Sequence, residues 1–351
     1  MILISFNSRD DNLGDKLIFS CLLEELNKHD EVYIFGSSPN DFENGPLRLR
    51  QAFAKALAFR LKGSEVLVFD SPGARFRPKM VLKPKVSRKI KDKITDMVWS
   101  LIGVKFHVVG ISMDERTGVD PYRRMRRYSS IGVRDKKSLE LLSGVVNCVN
   151  LVPDMAFLRS PSMKELFDSR IAVSLRQETP DNQYDSTYRS ALEQALNLVL
   201  HFFTDEKWSV RFFSNVIEDR QFNSELSNKF SRMHGDIEYI DEMAVDLDYQ
   251  RFFGGYSVVL SNRLHVLIPA MSAGLLPIAL VSRSHSKIID LFYSYGLEQF
   301  LVYTDQDAVD ILESISYLIR NQNILRHKNY ERLRLLKSEV ETYISSIVSP
   351  M

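Results

Sequence analysis

The stretch VVLSNRLHVLIPAMSAGLLPIAL, residues 258–280, constrains the fold of this chain more than any other. Val258, Val259 and Leu260 make a short apolar run that reads as a buried strand, and Leu267 to Ala273 reads as a helix of small and aliphatic residues. Gly274 stands where a helix C-terminus favours a residue without a Cβ, and Leu276 to Val281 is a second buried strand. Strand, polar loop, helix and strand in succession describe a crossover unit of a parallel sheet. Ligands of such sheets collect beyond the carboxyl ends of the strands, where the loop Ser-Asn-Arg-Leu-His sets Arg263 and His265. Both also have a plain structural use: Arg263 can pair with a carboxylate, and His265 can cap or pack against the helix.

The same alternation runs through the rest of the chain. Ile2 to Phe6 predicts a strand, Asn7 to Asp15 a polar loop and Leu17 to Leu26 a helix, the opening of a Rossmann-like domain. In that loop, Asn12-Leu13-Gly14-Asp15, the glycine permits close backbone approach, and Asp15 can cap the helix or hold a ligand hydroxyl. Further strands are expected at 32–35, 65–69, 105–109, 131–133 and 149–152, with helices at 51–61 and 136–143; Arg134 and Asp135 read as a structural pair at the start of the second. The third strand runs into the turn Asp70-Ser71-Pro72-Gly73. A second α/β domain follows, with strands at 170–175, 210–214 and 237–240 and helices at 185–203, 248–256 and 287–295. A long charged helix from 307 to 347 is broken near 321–323. The expected domains are 1–160, 161–333 and a C-terminal helix, 334–351, placed to pack back on the first. Each sheet should be mostly parallel and covered on both faces, with Arg176, the 263–265 loop and Lys287 at strand ends facing one cleft.

Composition narrows the function. A chain of 351 residues with 44% hydrophobic and 26% charged residues suits two globular domains. A formal net charge of +1 argues against whole-surface nucleic-acid binding, and no stacking-aromatic module is present. Cys21 and Cys148 lie in apolar runs without metal-ligand spacing and read as buried thiols of a reducing compartment. The N-terminus does not read as a secretory signal, and no apolar run reaches the ~20 residues needed to span a bilayer. The expected location is therefore the cytoplasm. Between Arg75 and Lys93 lie nine Lys or Arg against one Asp, followed by the Trp99-bearing run DMVWSLIG; residues 75–103 suit an anionic membrane surface, at the inner face of the cell membrane.

In order, the chain carries Asn-x-Gly-Asp at 12–15, IGVRDKKSLELL at 131–142, VPDMAF at 152–157, IAVSLR at 171–176, SNRLHVLIPAMSAGLLPIAL at 261–280 and then Lys287. That series resembles the polysaccharide pyruvyl transferase family, and Arg-Leu-His with the helix and strand after it is its most specific part. The resemblance implies two Rossmann-like domains in the glycosyltransferase-B arrangement. It further implies transfer of pyruvate from phosphoenolpyruvate, as a ketal, to a sugar or lipid-linked oligosaccharide of a cell-surface or exopolysaccharide glycan. Where such proteins often carry a Gly-rich turn after the third strand, this chain has Asp70-Ser71-Pro72-Gly73.

The residues fit that chemistry. Phosphoenolpyruvate presents a carboxylate and a phosphate, and Arg176, Arg263 and Lys287 supply three cations to hold them. The reaction also needs an acid for the donor's methylene carbon, and His265 suits it because imidazole gains and loses a proton near neutrality. Asn12, Gly14, Asp15 and Asp70 are the candidates for the acceptor side. No motif calls for a catalytic metal or other cofactor. Two other readings are open: a nucleotide-sugar glycosyltransferase of the same architecture, with Asp15 or Asp70 as base, and a non-catalytic glycan-assembly protein.

Overall fold

Ile2–Phe6 (β1), Val32–Gly36 (β2), Leu67–Asp70 (β3), Lys105–Ile111 (β4), Tyr128–Val133 (β5) and Val149–Leu151 (β6) form one parallel sheet in the order β2-β1-β3-β4-β5-β6. A computed structural model of the chain describes residues 1–6, 12–36, 47–73, 95, 97–113, 125–163, 168–179, 185–241 and 248–349. It divides into two units. The first comprises Met1–Asp10, Ile18–Leu158 and Ser338–Met351, and the second Asp11–Leu17 and Arg159–Lys337.

Helices Leu13–Leu26 (α1), Leu49–Leu61 (α2) and Lys136–Ser143 (α3) accompany the first sheet. Helix α1 begins at Leu13 rather than Leu17 because the Asn12 side chain accepts the Gly14 and Asp15 N–H groups at 3.0 and 3.3 Å. Asn12 is thus the cap, and Asp15 lies in the first turn, where its charge suits the helix dipole. At α3 the cap is Asp135, which accepts from Ser138 N at 2.7 Å. Arg134, however, pairs with Asp154 at 2.5 Å and donates to Ser112 Oγ at 2.6 Å, not to its neighbour. Both members of that pair are buried, so each satisfies the other where water cannot.

Trp99 corrects one expectation. Far from lying on a membrane-facing surface, it packs on Phe53 with ring centroids 4.0 Å apart and meets Phe35 and Phe106, inside a core that includes Leu3, Val68 and Ala52. Its indole contributes apolar area to the sheet-helix interface, the larger gain for such a ring. The basic segment 75–93 lies outside the described residues. Helical residues 97–102 turn Met97 and Leu101 outward, and neighbouring α2 exposes Leu57 and Leu61. Cys148 is half-buried rather than buried, while Cys21 is buried.

The second unit holds Arg170–Ser174 (β7), Ser209–Phe212 (β8), Ile237–Tyr239 (β9), Val258–Ser261 (β10), Leu276–Val281 (β11) and Leu301–Tyr303 (β12), all parallel, in the order β12-β11-β10-β7-β8-β9. Every residue of β10 and β11 is buried, which is why their sequences run apolar without alternating. Its helices are Ser186–Asp205 (α4), Arg220–His234 (α5), Tyr249–Phe253 (α6), Leu264–Ser272 (α7), Ser286–Ser294 (α8) and Ala308–Arg320 (α9). Gln322–Val348 (α10) follows α9 with the expected break at Asn321, its residues up to Lys337 counted with the second unit and those from Ser338 with the first. Strand β12 has three residues, too few for a periodic signal, and its place at the sheet edge is set by pairing with β11.

The chain enters this sheet at β7, winds outward through β8 and β9, then returns to β10 on the other side of β7 before winding out to β12. Strand order therefore reverses between β7 and β10. Above such a reversal the two neighbouring crossovers diverge and leave a crevice at the strands' carboxyl ends.

Candidate functional site

The strand-order reversal of the second unit is built by pairing. Ser174 and Ser261 are partners at the ends of β7 and β10, and Ser261 Oγ donates to Ser174 O at 2.5 Å. One residue beyond β10, the Asn262 amide fastens the two strand ends together: it accepts from Arg176 N at 2.8 Å and donates to Arg176 O at 3.0 Å. Ser261 Oγ also accepts from Arg263 N at 3.0 Å, so the turn into α7 is held by its own side chain. A second asparagine, Asn223 on α5, accepts from Leu175 N at 2.9 Å and donates to Leu175 O and Asp219 O. Arg176 and Arg263 consequently project from backbone that is stapled on both sides of the strand-order reversal.

Arg263 forms a two-pronged ion pair with Asp219, which lies in a short turn of helix at Ile217–Asp219 following β8; its Nη2 donates to Asp219 Oδ1 at 2.6 Å. Burial pushes the Asp219 carboxyl up, against the pull of the Arg263 and Arg176 guanidinium groups. The structural alternative for Arg263, a carboxylate partner, is thus realised, and it fixes the guanidinium plane in one orientation. Arg176 keeps a looser contact with Glu178, at 3.4 Å. Lys287 is the second residue of α8 rather than a strand-end residue, and is half-buried.

His265 is the second residue of α7 and departs from helical backbone, with φ −83° and ψ 17°. Pro269 accounts for this. A proline has no N–H to give to the carbonyl four residues back, and its ring presses on that carbonyl, which here belongs to His265. The kink leaves His265 in a sparsely populated backbone region that recurs at active sites. Residues 11–17 belong to the same unit, and Asn12 bridges to Val216. Their glycine passes so close that a Cβ on Gly14 would lie 2.6 Å from His265 Nδ1. The close approach expected of Gly14 is therefore an approach to His265.

Three residues of this region escape a reading of the sequence. Tyr188, in the first turn of α4, accepts from Asn262 Nδ2 at 2.9 Å and lies 3.2 Å from His285 Nε2. His285, after β11, accepts from Ser282 N at 3.1 Å through Nδ1. Burial, with Arg176 adding to it, pulls the imidazole down to about 4, and burial pushes the Tyr188 hydroxyl up to about 12, so both are neutral near pH 7. Asp219 is the third. Asn262 alone had a local signal, since it sits inside the SNRLH run.

Asp70, in the first unit, ends β3 beside Ser5 of β1, at that sheet's own reversal of strand order. It accepts from Ser5 Oγ at 2.8 Å and from Arg127 at 3.0 Å, and Tyr128 also donates to it. The turn after it closes through Gly73 N to Gly110 O at 3.2 Å, with Gly73 in the left-handed region at φ 111°. Among the described residues no group of His, Cys, Asp and Glu is arranged to hold a metal ion.

The family model for polysaccharide pyruvyl transferases matches residues 12–282, from the Asn12 cap to the end of β11, and takes in Arg176, Asp219, Arg263 and His265. The chain belongs to the polysaccharide pyruvyl transferase family. Membership makes it a transferase that modifies polysaccharide. Among curated proteins none matches by sequence. Solved structures do match this pyruvyl transferase family member in fold. A glycosyltransferase from Rickettsia africae is similar at a TM-score of 0.57 and 11% identity over 99% of this chain and 97% of its own. The S. aureus MnaA–UDP structure is similar at 0.55 and 11%, over 100% and 97%. UDP-GlcNAc 2-epimerase from Neisseria meningitidis, bound to UDP-GlcNAc, is similar at 0.54 and 9%, over 99% of each chain. At such identities the likeness speaks for the fold: two Rossmann-like α/β units, as the sequence implied, of the kind found in glycosyltransferase-B enzymes and sugar-nucleotide epimerases. No helix among the described residues is long and apolar enough to cross a membrane.

Proposed function

We propose that this transferase takes phosphoenolpyruvate as donor and forms a pyruvate ketal on a glycan sugar, with His265 as the general acid. The observation that supports it is the joining of Arg176, Arg263 and His265 at one strand-order reversal, with Arg263 oriented by Asp219 and His265 set apart from helical backbone. The two guanidinium groups, with Lys287 on the adjoining helix, hold the donor's carboxylate and phosphate. His265 delivers a proton to the methylene carbon, and the neighbouring carbon gains positive character. A sugar hydroxyl attacks that carbon, and its proton passes through solvent to restore His265. The carbon–oxygen bond to phosphate breaks, and a second hydroxyl of the same sugar closes the ketal, its proton leaving with the phosphate. Arg263 keeps its charge near neutrality, so it orients and stabilises rather than transferring a proton. The acceptor side is assigned to Asn12, Gly14 and Asp15.

The experiment is His265→Gln. Donor binding should persist while turnover falls by roughly 10²- to 10⁴-fold. In deuterated water the methyl group of the product should carry solvent deuterium. Turnover within a few-fold of wild type, or a methyl group free of deuterium, would remove His265 from the role. Phosphoenolpyruvate failing to bind while a UDP-sugar binds would transfer the site to nucleotide-sugar chemistry. A cytoplasmic place at the membrane's inner face, serving a lipid-linked acceptor, is supported by Leu57, Leu61, Met97 and Leu101 on neighbouring helices and by the basic run 75–93 that precedes them in part.

A further inference from the structure

The hydrogen-bond directions around Tyr188 follow from two backbone N–H groups, those of Ser282 and Arg176, and they leave one proton over. Ser282 N–H can only donate, and it points at His285 Nδ1 at 3.1 Å, so that nitrogen is bare, the Ser282 hydroxyl 3.0 Å away is a second donor to it, and the neutral ring carries its hydrogen on Nε2. Nε2–H then faces the Tyr188 oxygen at 3.2 Å as a donor. The Asn262 orientation is fixed in the same way: Arg176 N–H donates to its Oδ1, so its Nδ2 is the atom that donates to Tyr188 at 2.9 Å. The phenol oxygen accepts from two directions, which uses its acceptor capacity. Its own hydrogen has no acceptor among the described residues, although the ring is buried, with 7% exposure.

The charged groups that bear on this phenol are Arg176 after β7, Asp219 after β8 and Arg263 after β10, with His285 after β11 in contact with it. A hydroxyl hydrogen left over in the field of two guanidinium groups is complemented by an anion that the same groups attract. We propose that Tyr188 is a donor-binding residue, whose hydroxyl donates to the carboxylate or phosphate held by Arg176 and Arg263. Asn262 and His285 are positioning residues for it, since each spends a hydrogen on the phenol oxygen and so turns the remaining hydrogen toward the anion. The inference rests on the placement of the anionic donor at these arginines, and goes beyond it by adding a neutral donor group that a cation count does not reveal.

The test compares wild type, Tyr188→Phe and a protein with 3,5-difluorotyrosine at 188, titrated with phosphoenolpyruvate, UDP and inorganic pyrophosphate. Tyr188→Phe keeps the ring and should weaken anion binding by roughly ten- to hundredfold, the range for a hydrogen bond to a charged group. It also strands the Asn262 and His285 hydrogens, so the fluorinated protein supplies the readout that a packing role would not move. Its oxygen still accepts both hydrogen bonds, but it ionises at lower pH, and a phenolate cannot donate and repels an anion. Its affinity should therefore fall at a lower pH than that of wild type, every other titrating group being common to both proteins. A Tyr188→Phe protein binding within twofold of wild type, or coincident pH profiles for the fluorinated and natural proteins, overturns the inference. Should UDP or pyrophosphate bind and be weakened by Tyr188→Phe while phosphoenolpyruvate does not bind, the role of Tyr188 stands and the donor assignment falls. If none of the three binds wild type, both fall.

Discussion

Replacing Gly14 by alanine would set a methyl carbon 2.6 Å from His265 Nδ1 and 2.8 Å from His265 Cβ, where ordinary contact begins near 3.4 Å. The overlap is about 0.6–0.8 Å, and because it includes the Cβ a rotamer change alone cannot relieve it; the ring and its backbone must move by a distance of that order. Overpacking of this kind costs roughly 1–3 kcal/mol. Alanine returns part of that cost, since Gly14 lies inside α1 and alanine favours helix by up to about 1 kcal/mol over glycine. Stability should thus change by no more than about 3 kcal/mol. In the proposed reaction, displacing the acid by nearly 1 Å costs, in contrast, about 10²-fold in rate, close to 2.7 kcal/mol on the barrier. Gly144→Ala is the control, because a Cβ there meets nothing within 4 Å. Urea denaturation, donor titration and turnover of the two variants should show Gly14→Ala folded and binding the donor within about threefold, yet slow, and Gly144→Ala unchanged in rate. A Gly14→Ala enzyme with kcat within threefold of wild type would refute the argument that this backbone holds His265 in place.

Further expectations follow from the ion pairs, the buried imidazoles and the outer surface. Asp219→Asn should lower stability by roughly 3 kcal/mol and weaken donor binding, because it leaves a mostly buried Arg263 charge without its counter-charge; equal denaturation midpoints and affinities would show that the pair positions nothing. In the first unit, Arg134→Met should cost roughly 3–5 kcal/mol by removing a counter-charge from the Asp154 carboxylate, which is 0% exposed, and a loss under 1 kcal/mol in urea melts would contradict this. Burial pulls His107 and His285 down to about 4 from 6.5, so the unfolded chain binds protons below pH 6.5 that the folded chain refuses until about pH 4. Stability should therefore fall as pH drops through that window, by up to roughly 3 kcal/mol for each histidine, and flat urea midpoints from pH 7 to 5 would oppose it. Changing Leu57, Leu61, Met97 and Leu101 together to serine should reduce sedimentation with anionic vesicles without unfolding the protein, whereas unchanged sedimentation would discard that face as a membrane contact.

Most of the architecture was legible before any coordinates. Strands β10 and β11 announce themselves as unbroken apolar runs, α4 by the spacing of Leu192, Leu196, Val199 and Phe203, and the break between α9 and α10 by Asn321. Such signals are short-range: a residue and its neighbours three or four positions away decide which face is buried. The same locality explains the errors. Trp99 beside a basic run resembles a membrane anchor, yet its partners Phe35, Phe53 and Phe106 come from β2, α2 and β4. Asp15 resembles a helix cap, but Asn12, three residues earlier, takes the position first.

The sequence by itself determined that the chain is a pair of parallel α/β units, and that Arg176 and Arg263 follow strand ends with His265 at the start of the next helix, because apolar patterning and a contiguous motif are enough to place them. Only the tertiary structure decided what those residues can do. It is the order of strands that puts Arg176 beside Arg263 although they are far apart in the chain. Asp219, 44 residues from Arg263, fixes its guanidinium, and His285, 97 residues from Tyr188, lies 3.2 Å from the phenol oxygen. Charges and hydrogen bonds act over a few ångströms of space and carry no trace in the residues adjacent to them, so their partners emerge only when the sheet brings the strand ends together.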